Sequence, residues 1–308
     1  MRLVGCGRGW GAAMLVGALF VLMACGREAP TSDADAPRFV TTIPPFEMIL
    51  ERLVEGRGTV DRLLAPGTSP HTHDPTPSDL RATTTATALV YGAEALDGWA
   101  ADLPAARRLK LVSMVPPGAR RSFEGEHGGN EHGGASVNPH FWTDPLAVTQ
   151  LVPVLADTLC AVDPPGCSTY RANADSFATA LATLDAQLRS LTAPIREVPV
   201  LLAQPFFRYF LGRYGPRLVG IVEPSPGAEA TPRQLRRLVD RAHASGARAI
   251  LTQRSLSGRA ARAVSEAAQV PVVTLDPLGG TDGRRTYEDL LRFNAERLNT
   301  ALANPASP

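Results

Sequence analysis

The chain has 308 residues, of which 44% are hydrophobic and 20% charged, proportions typical of globular rather than disordered proteins. Its 31 basic and 30 acidic residues leave a net charge of +1, so it lacks the basic surplus that binding to a phosphate backbone requires. This composition excludes nucleic acid as an expected partner. Five of the six histidines lie between His71 and His140, which indicates a histidine-dependent function there.

The first 24 residues have the pattern of a secretory signal peptide. Two arginines precede an uncharged apolar run at 11–24, which is shorter than the ~20 residues needed to cross a bilayer. The run ends in Leu22-Met23-Ala24-Cys25, which resembles the lipobox of bacterial lipoproteins, in which the cysteine is acylated. We therefore expect a lipid on Cys25 and a polar tether over residues 25–37. The alternative is an ordinary cleaved signal peptide that leaves a free thiol.

Short apolar runs then alternate with helical patterns, and this alternation predicts βαβ units with parallel sheets. The predicted strands lie at 38–42, 60–64, 89–91, 110–112, 198–202, 218–222, 249–252 and 272–275. Two helix starts are marked by a capping threonine followed by proline, Thr76-Pro77 and Thr231-Pro232.

One predicted helix is much longer than the others. Residues 168–191 contain no proline or glycine, and their apolar side chains recur at steps of four and three. These side chains are Phe177, Leu181, Leu184, Leu188 and Leu191. We therefore predict an α/β fold in which two parallel-sheet lobes, residues 38–165 and 195–308, are joined by one long rigid helix within 166–194.

Cys160 and Cys167 flank a short Ala-Val-Asp-Pro-Pro-Gly segment. Outside the cytoplasm this pair favours a disulfide, which would contribute roughly 2–3 kcal/mol by closing a small loop. The alternative is two free thiols. The spacing excludes a CxxC zinc or redox motif.

Two histidine-containing loops are candidate metal-binding motifs. His71 follows the strand predicted at 60–64, and ligands of open α/β sheets bind beyond the carboxyl ends of strands. His140 lies just before a helical pattern that begins at Leu146. A single loop histidine is more often a surface residue than a ligand, but two in the same predicted lobe favour a shared site.

Between these loops, residues 124–135 are rich in glycine, glutamate and histidine. This composition predicts a solvated flexible loop that does not fold by itself. His127 and His132 could in addition capture a metal such as Zn²⁺ weakly and pass it inward.

Three motifs together resemble the zinc- and manganese-binding receptor lipoproteins of ABC importers. They are Pro-His-Thr-His-Asp-Pro-Thr-Pro-Ser-Asp at 70–79, Asn-Pro-His-Phe-Trp-Thr-Asp-Pro at 138–145 and Leu-Asp-Pro-Leu-Gly at 275–279. The resemblance covers nearly the whole mature chain. In that family the metal lies between the lobes, held by a histidine from each of the first two motifs, the aspartate of the third, and a histidine or glutamate that opens the second lobe. The resemblance therefore implies His71, His140 and Asp276 as ligands.

Gln204 occupies the position of the fourth ligand, after the strand predicted at 198–202. A neutral amide oxygen is a poorer zinc ligand than an imidazole or a carboxylate. Three alternatives stay open: Gln204 binds weakly, water or His73 completes the site, or the protein has another role. We expect a functional site with altered affinity. Glu223 is a less favoured substitute, and His243 is expected on the surface.

The resemblance implies a lipid-anchored receptor outside the cytoplasm that delivers one divalent cation to an ABC permease and its ATPase. Zn²⁺ is the expected cargo because imidazole favours it, and Mn²⁺ and Fe²⁺ are the alternatives. His73, His127 and His132 are assigned to accessory metal capture. We expect a monomer that makes and breaks no covalent bond.

Two other functions remain as alternatives. The neutral Gln204 is compatible with a surface lipoprotein whose metal site has degenerated and which acts in adhesion or interaction. The His71-Thr72-His73 sequence is compatible with a metal-dependent hydrolase. Such an enzyme needs further histidines, and only His243 follows His140; a general base beside a metal-bound water also has no evident candidate.

Overall fold

The computed structural model describes residues 36–123, 137–224, 230–254, 258–281 and 283–303. The predicted signal peptide, the lipidation site Cys25 and the loop histidines His127 and His132 lie outside these residues.

Within the described residues, eight strands form two parallel sheets with the same strand order. The first sheet has the order β2-β1-β3-β4, and the second has the order β6-β5-β7-β8. The strands of the first sheet are β1 (Arg38–Thr41), β2 (Thr59–Arg62), β3 (Ala88–Tyr91) and β4 (Arg108–Lys110). Those of the second are β5 (Pro199–Leu202), β6 (Arg217–Ile221), β7 (Ala249–Gln253) and β8 (Val272–Leu275). The carboxyl ends of parallel strands lie at one edge, where ligands of such sheets bind.

The helices of the first lobe are α1 (Pro44–Val54), α2 (Pro77–Thr84), α3 (Glu94–Asp97), α4 (Leu111–Met114) and α5 (Pro145–Val162). The linking helix is α6 (Cys167–Thr192), and the second lobe has α7 (Arg208–Tyr214), α8 (Pro232–Ser245), α9 (Arg259–Ala268) and α10 (Tyr287–Leu302). Four of these helices begin at a residue whose side chain accepts a hydrogen bond from a free backbone N–H of the first turn. These caps are Thr76, Asp144, Thr231 and Thr286.

The predicted fold class is confirmed: two parallel-sheet α/β lobes are connected by the long helix α6. The strand prediction at 110–112 is wrong in its position, because β4 ends at Lys110 and residues 111–114 form helix α4. The reason lies in the neighbouring strand. Lys110 pairs with Tyr91, the last residue of β3, and beyond this pair the Val112 N–H still donates to the Gly92 carbonyl at 3.0 Å, but the regular ladder has ended. The apolar run continues as a helical turn whose Leu111 is buried.

Helix α6 packs against both lobes rather than only connecting them. Its buried face contacts α1 and α5 of the first lobe and α10 of the second. One hydrophobic core therefore runs through both lobes and includes Phe46, Leu181 and Tyr287. Helix α5 is long and apolar enough to cross a membrane by length and composition, but it lies along α6 with Leu151 and Leu155 fully in the core.

The end of α5 and the start of α6 are joined covalently. Cys160 and Cys167 form a disulfide bond, with their Cα atoms 4.4 Å apart. In the same turn Arg57 makes two hydrogen bonds to Asp163, at 2.7 and 2.6 Å, which ties the turn to the end of α1. The disulfide and this ion pair together hold the two longest helices of the described chain in an antiparallel hairpin.

Candidate metal centre

Loops from both lobes meet around the segment at 138–142. The side-chain amide nitrogen of Asn138 donates a 2.8 Å hydrogen bond to the backbone oxygen of Pro205, the residue after Gln204. The indole nitrogen of Trp142 donates a 2.8 Å bond to the backbone oxygen of Pro277, the residue after Asp276. All of these donors and acceptors are in a buried part of the structure. The second motif therefore holds the two second-lobe loops that carry the remaining candidate ligands.

His140 is buried, with 6% of its surface exposed, and its ring is fixed by Asn138. The Asn138 side-chain oxygen lies 2.8 Å from Nδ1 of His140 and also accepts the His140 backbone N–H at 3.0 Å. Because an amide oxygen can only accept, this contact assigns the proton to Nδ1 and leaves the Nε2 lone pair free for a metal. Burial, reinforced by the neighbouring His71, lowers the pKa of His140 well below its ordinary value, so the ring is neutral near pH 7.

His71 lies beside His140. It is in a 3₁₀ turn, Pro70–Thr72, in the loop between β2 and α2. Its ring centroid is 5.6 Å from that of His140, and the two rings are tilted by 49°. Two imidazoles that bind one Zn²⁺ through nitrogens at ~2.1 Å have centroids roughly 5 Å apart, so the spacing fits a shared cation. Burial also lowers the pKa of His71, against an opposing hydrogen bond with the Ala95 backbone.

His73 has other partners. Its Nε2 lies 3.0 Å from the Asp79 carboxylate, which also caps helix α2, and its ring contacts that of Trp99 at a centroid distance of 4.5 Å. The Trp99 indole N–H in turn donates to the backbone oxygen of Pro70 at 2.9 Å. His73 thus helps to position the loop that carries His71. Its Nε2 contacts Asp79, whereas completing the metal site would require a His73 nitrogen to face the metal.

Asp276 follows β8 and is held firmly. Its Oδ1 accepts the backbone N–H groups of Leu278 and Gly279, at 3.0 and 2.9 Å. Its own backbone is clamped by Asn294, which donates to the Asp276 carbonyl at 2.7 Å and accepts from its N–H at 2.8 Å. The other carboxylate oxygen, Oδ2, lies 2.7 Å from Nε of Arg284. The predicted charged ligand is therefore paired with a cation of the protein.

Gln204 follows β5 and is held by Glu223, which follows the adjacent strand β6. The amide nitrogen of Gln204 donates a 2.8 Å hydrogen bond to the Glu223 carboxylate. This bond uses the nitrogen and leaves the amide oxygen as the group that could face a metal. It also brings Glu223, the substitute ligand that we considered less favoured, into contact with the ligand position.

Among the residues that the structure describes, no three His, Cys, Asp or Glu side chains lie together as a complete metal cluster. The structure instead brings together a neutral histidine pair, His71 and His140, and keeps Asp276 and Gln204 each in contact with a charged neighbour. The donors suit Zn²⁺, because neutral imidazole and carboxylate are among its usual ligands. His243 is exposed on α8, as expected.

Asn138 and Arg284, to which the sequence analysis assigned no role, contribute to this arrangement, and so does Glu223, which was considered there only as a less favoured substitute ligand. Asn138 had a local signal, since it precedes His140 by two residues. The contact between Glu223 and Gln204 could have been expected, because neighbouring parallel strands end side by side. Arg284 has no comparable signal, because its contact with Asp276 depends on the turn between them.

Comparison with known proteins identifies metal-binding proteins as relatives of this chain. The family model described as the periplasmic component A of zinc-uptake complexes matches residues 39–301. The manganese-binding lipoprotein MntA of Halalkalibacterium halodurans is 26% identical over 288 residues, covering 91% of this chain and 93% of that protein. The high-affinity zinc uptake system protein ZnuA of Paracoccus denitrificans is 27% identical over 319 residues, covering 92% of this chain and 97% of that protein.

Solved structures share the fold. The periplasmic zinc-binding protein TroA of Treponema pallidum matches with a TM-score of 0.74 and 22% identity, covering 87% of this chain and all (100%) of that one. The laminin-binding protein Lmb of Streptococcus agalactiae matches with a TM-score of 0.70 and 23% identity, covering 86% of this chain and 99% of that one. These likenesses extend over both lobes and the connecting helix.

Proposed function

The chain belongs to the family of periplasmic components of zinc-uptake complexes, and on that premise we propose that it is the metal-binding receptor of an ABC importer. It captures one divalent cation between its lobes outside the cytoplasm and delivers it to a membrane permease driven by an ATPase. The curated relatives named above support this role, since one is named for zinc uptake and the other for manganese binding.

The observation that carries the proposal is the His71–His140 pair. Both rings are neutral near pH 7, their centroids are 5.6 Å apart, and Asn138 orients His140 through Nδ1. We assign nitrogen ligation to His71 and His140, charged oxygen ligation to Asp276 and the fourth position to the Gln204 oxygen. Two imidazoles favour Zn²⁺ over Mn²⁺ or Fe²⁺, which are the alternative cargoes.

Binding and release are the whole of the proposed activity. Neutral histidines bind a cation without first losing a proton, so capture near pH 7 needs no proton acceptor. The proposal assigns no covalent chemistry to any residue of the chain. His127 and His132 remain the candidates for weak accessory capture ahead of the inner site.

The proposal includes attachment to the membrane through a lipid on Cys25, with residues 25–37 as the tether and a monomeric body. The sequence motif around Cys25 supports this anchor, as does the word lipoprotein in the name of the manganese-binding relative. A lipid would keep the receptor near its permease without any net charge on the body. The Cys25→Ala variant should leave the membrane fraction when the cells are disrupted without detergent.

A zinc titration followed by thermal melting tests the proposal. One tight equivalent of Zn²⁺ should raise the melting temperature, because the metal binds only the folded state. The His140→Ala variant should lose this shift, and His243→Ala, which removes an exposed histidine of α8, should keep it. Absence of a shift in the unmodified protein, or loss of metal only when residues 124–134 are deleted, would show that the inner site is not used.

A further inference from the structure

The contact between Asp276 and Arg284 is built into the fold. Backbone hydrogen bonds define a tight turn here: the Gly280 N–H donates to the Arg284 carbonyl at 2.8 Å, and the Arg284 N–H donates to the Thr281 carbonyl at 2.9 Å. Gly280 has a φ of +76°, and a Cβ there would lie 3.0 Å from Pro44 of the first lobe. The turn therefore requires glycine at this position, and it returns Arg284 to the carboxylate eight residues earlier in the chain.

The Arg284 guanidinium is anchored on three sides. Its Nε is 2.7 Å from Oδ2 of Asp276, its terminal nitrogen donates to the Thr281 hydroxyl at 2.6 Å, and its Cζ lies 4.3 Å from the Phe293 ring centroid. Only 19% of the side chain is exposed. A cation over an aromatic face and beside a carboxylate is favourable, so this guanidinium occupies a defined place in the second lobe.

The pairing is nevertheless incomplete. Nε of Arg284 is buried and has no aligned hydrogen-bond acceptor among the described residues, although it lies within ion-pair distance of Asp276. A buried N–H without an acceptor costs free energy. The contact is therefore a charge pair that lacks a hydrogen bond, and a stronger cation can displace it from Oδ2 at a reduced cost.

We propose that Arg284 is an internal counter-cation that competes with the metal for the Asp276 carboxylate and thereby sets the affinity of the site. This inference rests on the proposed function, in which Asp276 is the charged ligand. A guanidinium and a divalent cation repel each other at close range, so they do not share Oδ2. Metal binding then requires Arg284 to leave Oδ2, while Phe293 and Thr281 remain available to hold it nearby.

The charges around the site show which cations this arrangement disfavours. His71, His140 and Gln204 are neutral, and the Asp276–Arg284 pair is neutral in sum. The remaining negative charge in contact with the proposed ligands is that of Glu223, whose carboxylate accepts the Gln204 amide. Mn²⁺, Mg²⁺ and Ca²⁺ prefer oxygen ligands, among which Asp276 is the charged one in the proposed set, whereas Zn²⁺ also binds imidazole well. Arg284 therefore weakens binding of the oxygen-preferring cations more than that of Zn²⁺.

The test compares the full-length Arg284→Gln and Arg285→Gln variants, which remove the same charge at adjacent positions. Arg285 is exposed, which makes it the matched control. Zinc affinity is measured by competition with a chromogenic chelator, after subtraction of the binding that remains in His140→Ala. Arg284→Gln should bind Zn²⁺ about tenfold more tightly than the unmodified protein, while Arg285→Gln should not differ from it. The gain for Mn²⁺ should exceed the gain for Zn²⁺.

A third variant separates charge from packing. Arg284→Lys keeps the positive charge, so its zinc affinity should stay close to that of the unmodified protein. Equal gains in Arg284→Lys and Arg284→Gln would overturn the proposal, as would unchanged or weaker zinc binding in Arg284→Gln with a normal unfolding midpoint. Equal gains for both metals would refute only the effect on selectivity. Absence of His140-dependent zinc binding in every variant would instead refute the proposed function together with the inference drawn from it.

Discussion

The side-chain oxygen of Asn138 lies 2.8 Å from Nδ1 of His140, while the amide nitrogen of the same side chain donates to Pro205 of the second lobe. Asn138 is fully buried, so neither bond competes with solvent. One side chain thus orients a proposed metal ligand of the first lobe and ties it to the loop of the second lobe that carries Gln204.

Replacing Asn138 by alanine should weaken zinc binding by about 10- to 100-fold, the usual effect of removing a group that orients a metal-binding histidine. Asn138→Asp retains an acceptor for Nδ1 and should bind zinc more tightly than Asn138→Ala, although it loses the donor to Pro205. Chelator competition gives both affinities, and urea unfolding checks that each variant folds. Equal zinc affinity in Asn138→Ala and the unmodified protein would argue against this role of Asn138.

His71 and His73 differ in their contacts, and their alanine variants should differ in the same way. His71→Ala removes a proposed ligand and should weaken zinc binding by orders of magnitude. His73→Ala removes the contacts with Asp79 and Trp99 and should lower the melting temperature slightly while leaving the zinc affinity nearly unchanged. Calorimetric titration of the two variants with zinc measures both affinities. A large loss of affinity in His73→Ala would identify His73 as a metal ligand.

Gln204→His should raise the zinc affinity, because imidazole is a better zinc ligand than a neutral amide oxygen. Glu223→Gln is the companion variant, since it removes the charged acceptor that holds the Gln204 amide and should weaken binding. Both are compared by chelator competition at the same ionic strength. If the histidine has no effect, the fourth ligand comes from water or from another residue.

Asp185 connects the linking helix to the second lobe. It accepts hydrogen bonds at 2.7 Å from both Arg213 and Tyr214 of α7 and at 3.0 Å from Arg189. Burial alone would raise its pKa, but these bonds outweigh burial and lower the pKa to about 2 from the ordinary 3.8. The folded state therefore binds this proton less readily than the unfolded state, so Asp185 adds stability above pH 3.8 that is lost as the pH falls through about 2.

The Asp185→Asn variant should accordingly be about 2 kcal/mol less stable at pH 7, the scale of a hydrogen bond to a charged group. Urea unfolding at a series of pH values should show this difference shrinking as the pH falls from 4 towards 2. Asp157→Asn is the control, because its ion pair with Arg171 is exposed and should contribute little. A difference that is independent of pH would contradict the assigned role of the Asp185 charge.

Much of the fold could be predicted because its signals are local. The alternation of apolar runs and helical patterns indicated all eight strands, and the capping threonines Thr76 and Thr231 marked the starts of α2 and α8. The spacing of Phe177, Leu181, Leu184 and Leu188 indicated the buried face of α6. Strands β2 and β4 both end two residues before their predicted ends, at Arg62 and Lys110, because a strand ends where its pairing with a partner strand ends, and that partner is distant in the sequence.

The candidate site was less accessible to sequence reasoning. The motifs around His71, His140 and Asp276 identified candidate ligands by resemblance, and Gln204 was recognised as a departure from the pattern. Their surroundings involve residues from other elements: Asn138 reaches Pro205, and Glu223 reaches Gln204 across adjacent parallel strands. Strand register and loop packing bring these groups together, and neither is encoded in a single short motif.

The sequence by itself determined that this is a two-lobed α/β protein with a histidine-rich first lobe and near-zero net charge. Hydrophobic periodicity and helix caps are properties of short segments, and net charge is a property of the total composition, so none of them depends on the tertiary structure. Only the tertiary structure decided how that charge is distributed around the ligands. A glycine turn returns Arg284 to Asp276, so the carboxylate that the motif offers to a metal is paired with a cation of the chain itself. Coulomb interactions act over a few ångströms in space, whatever the separation along the chain.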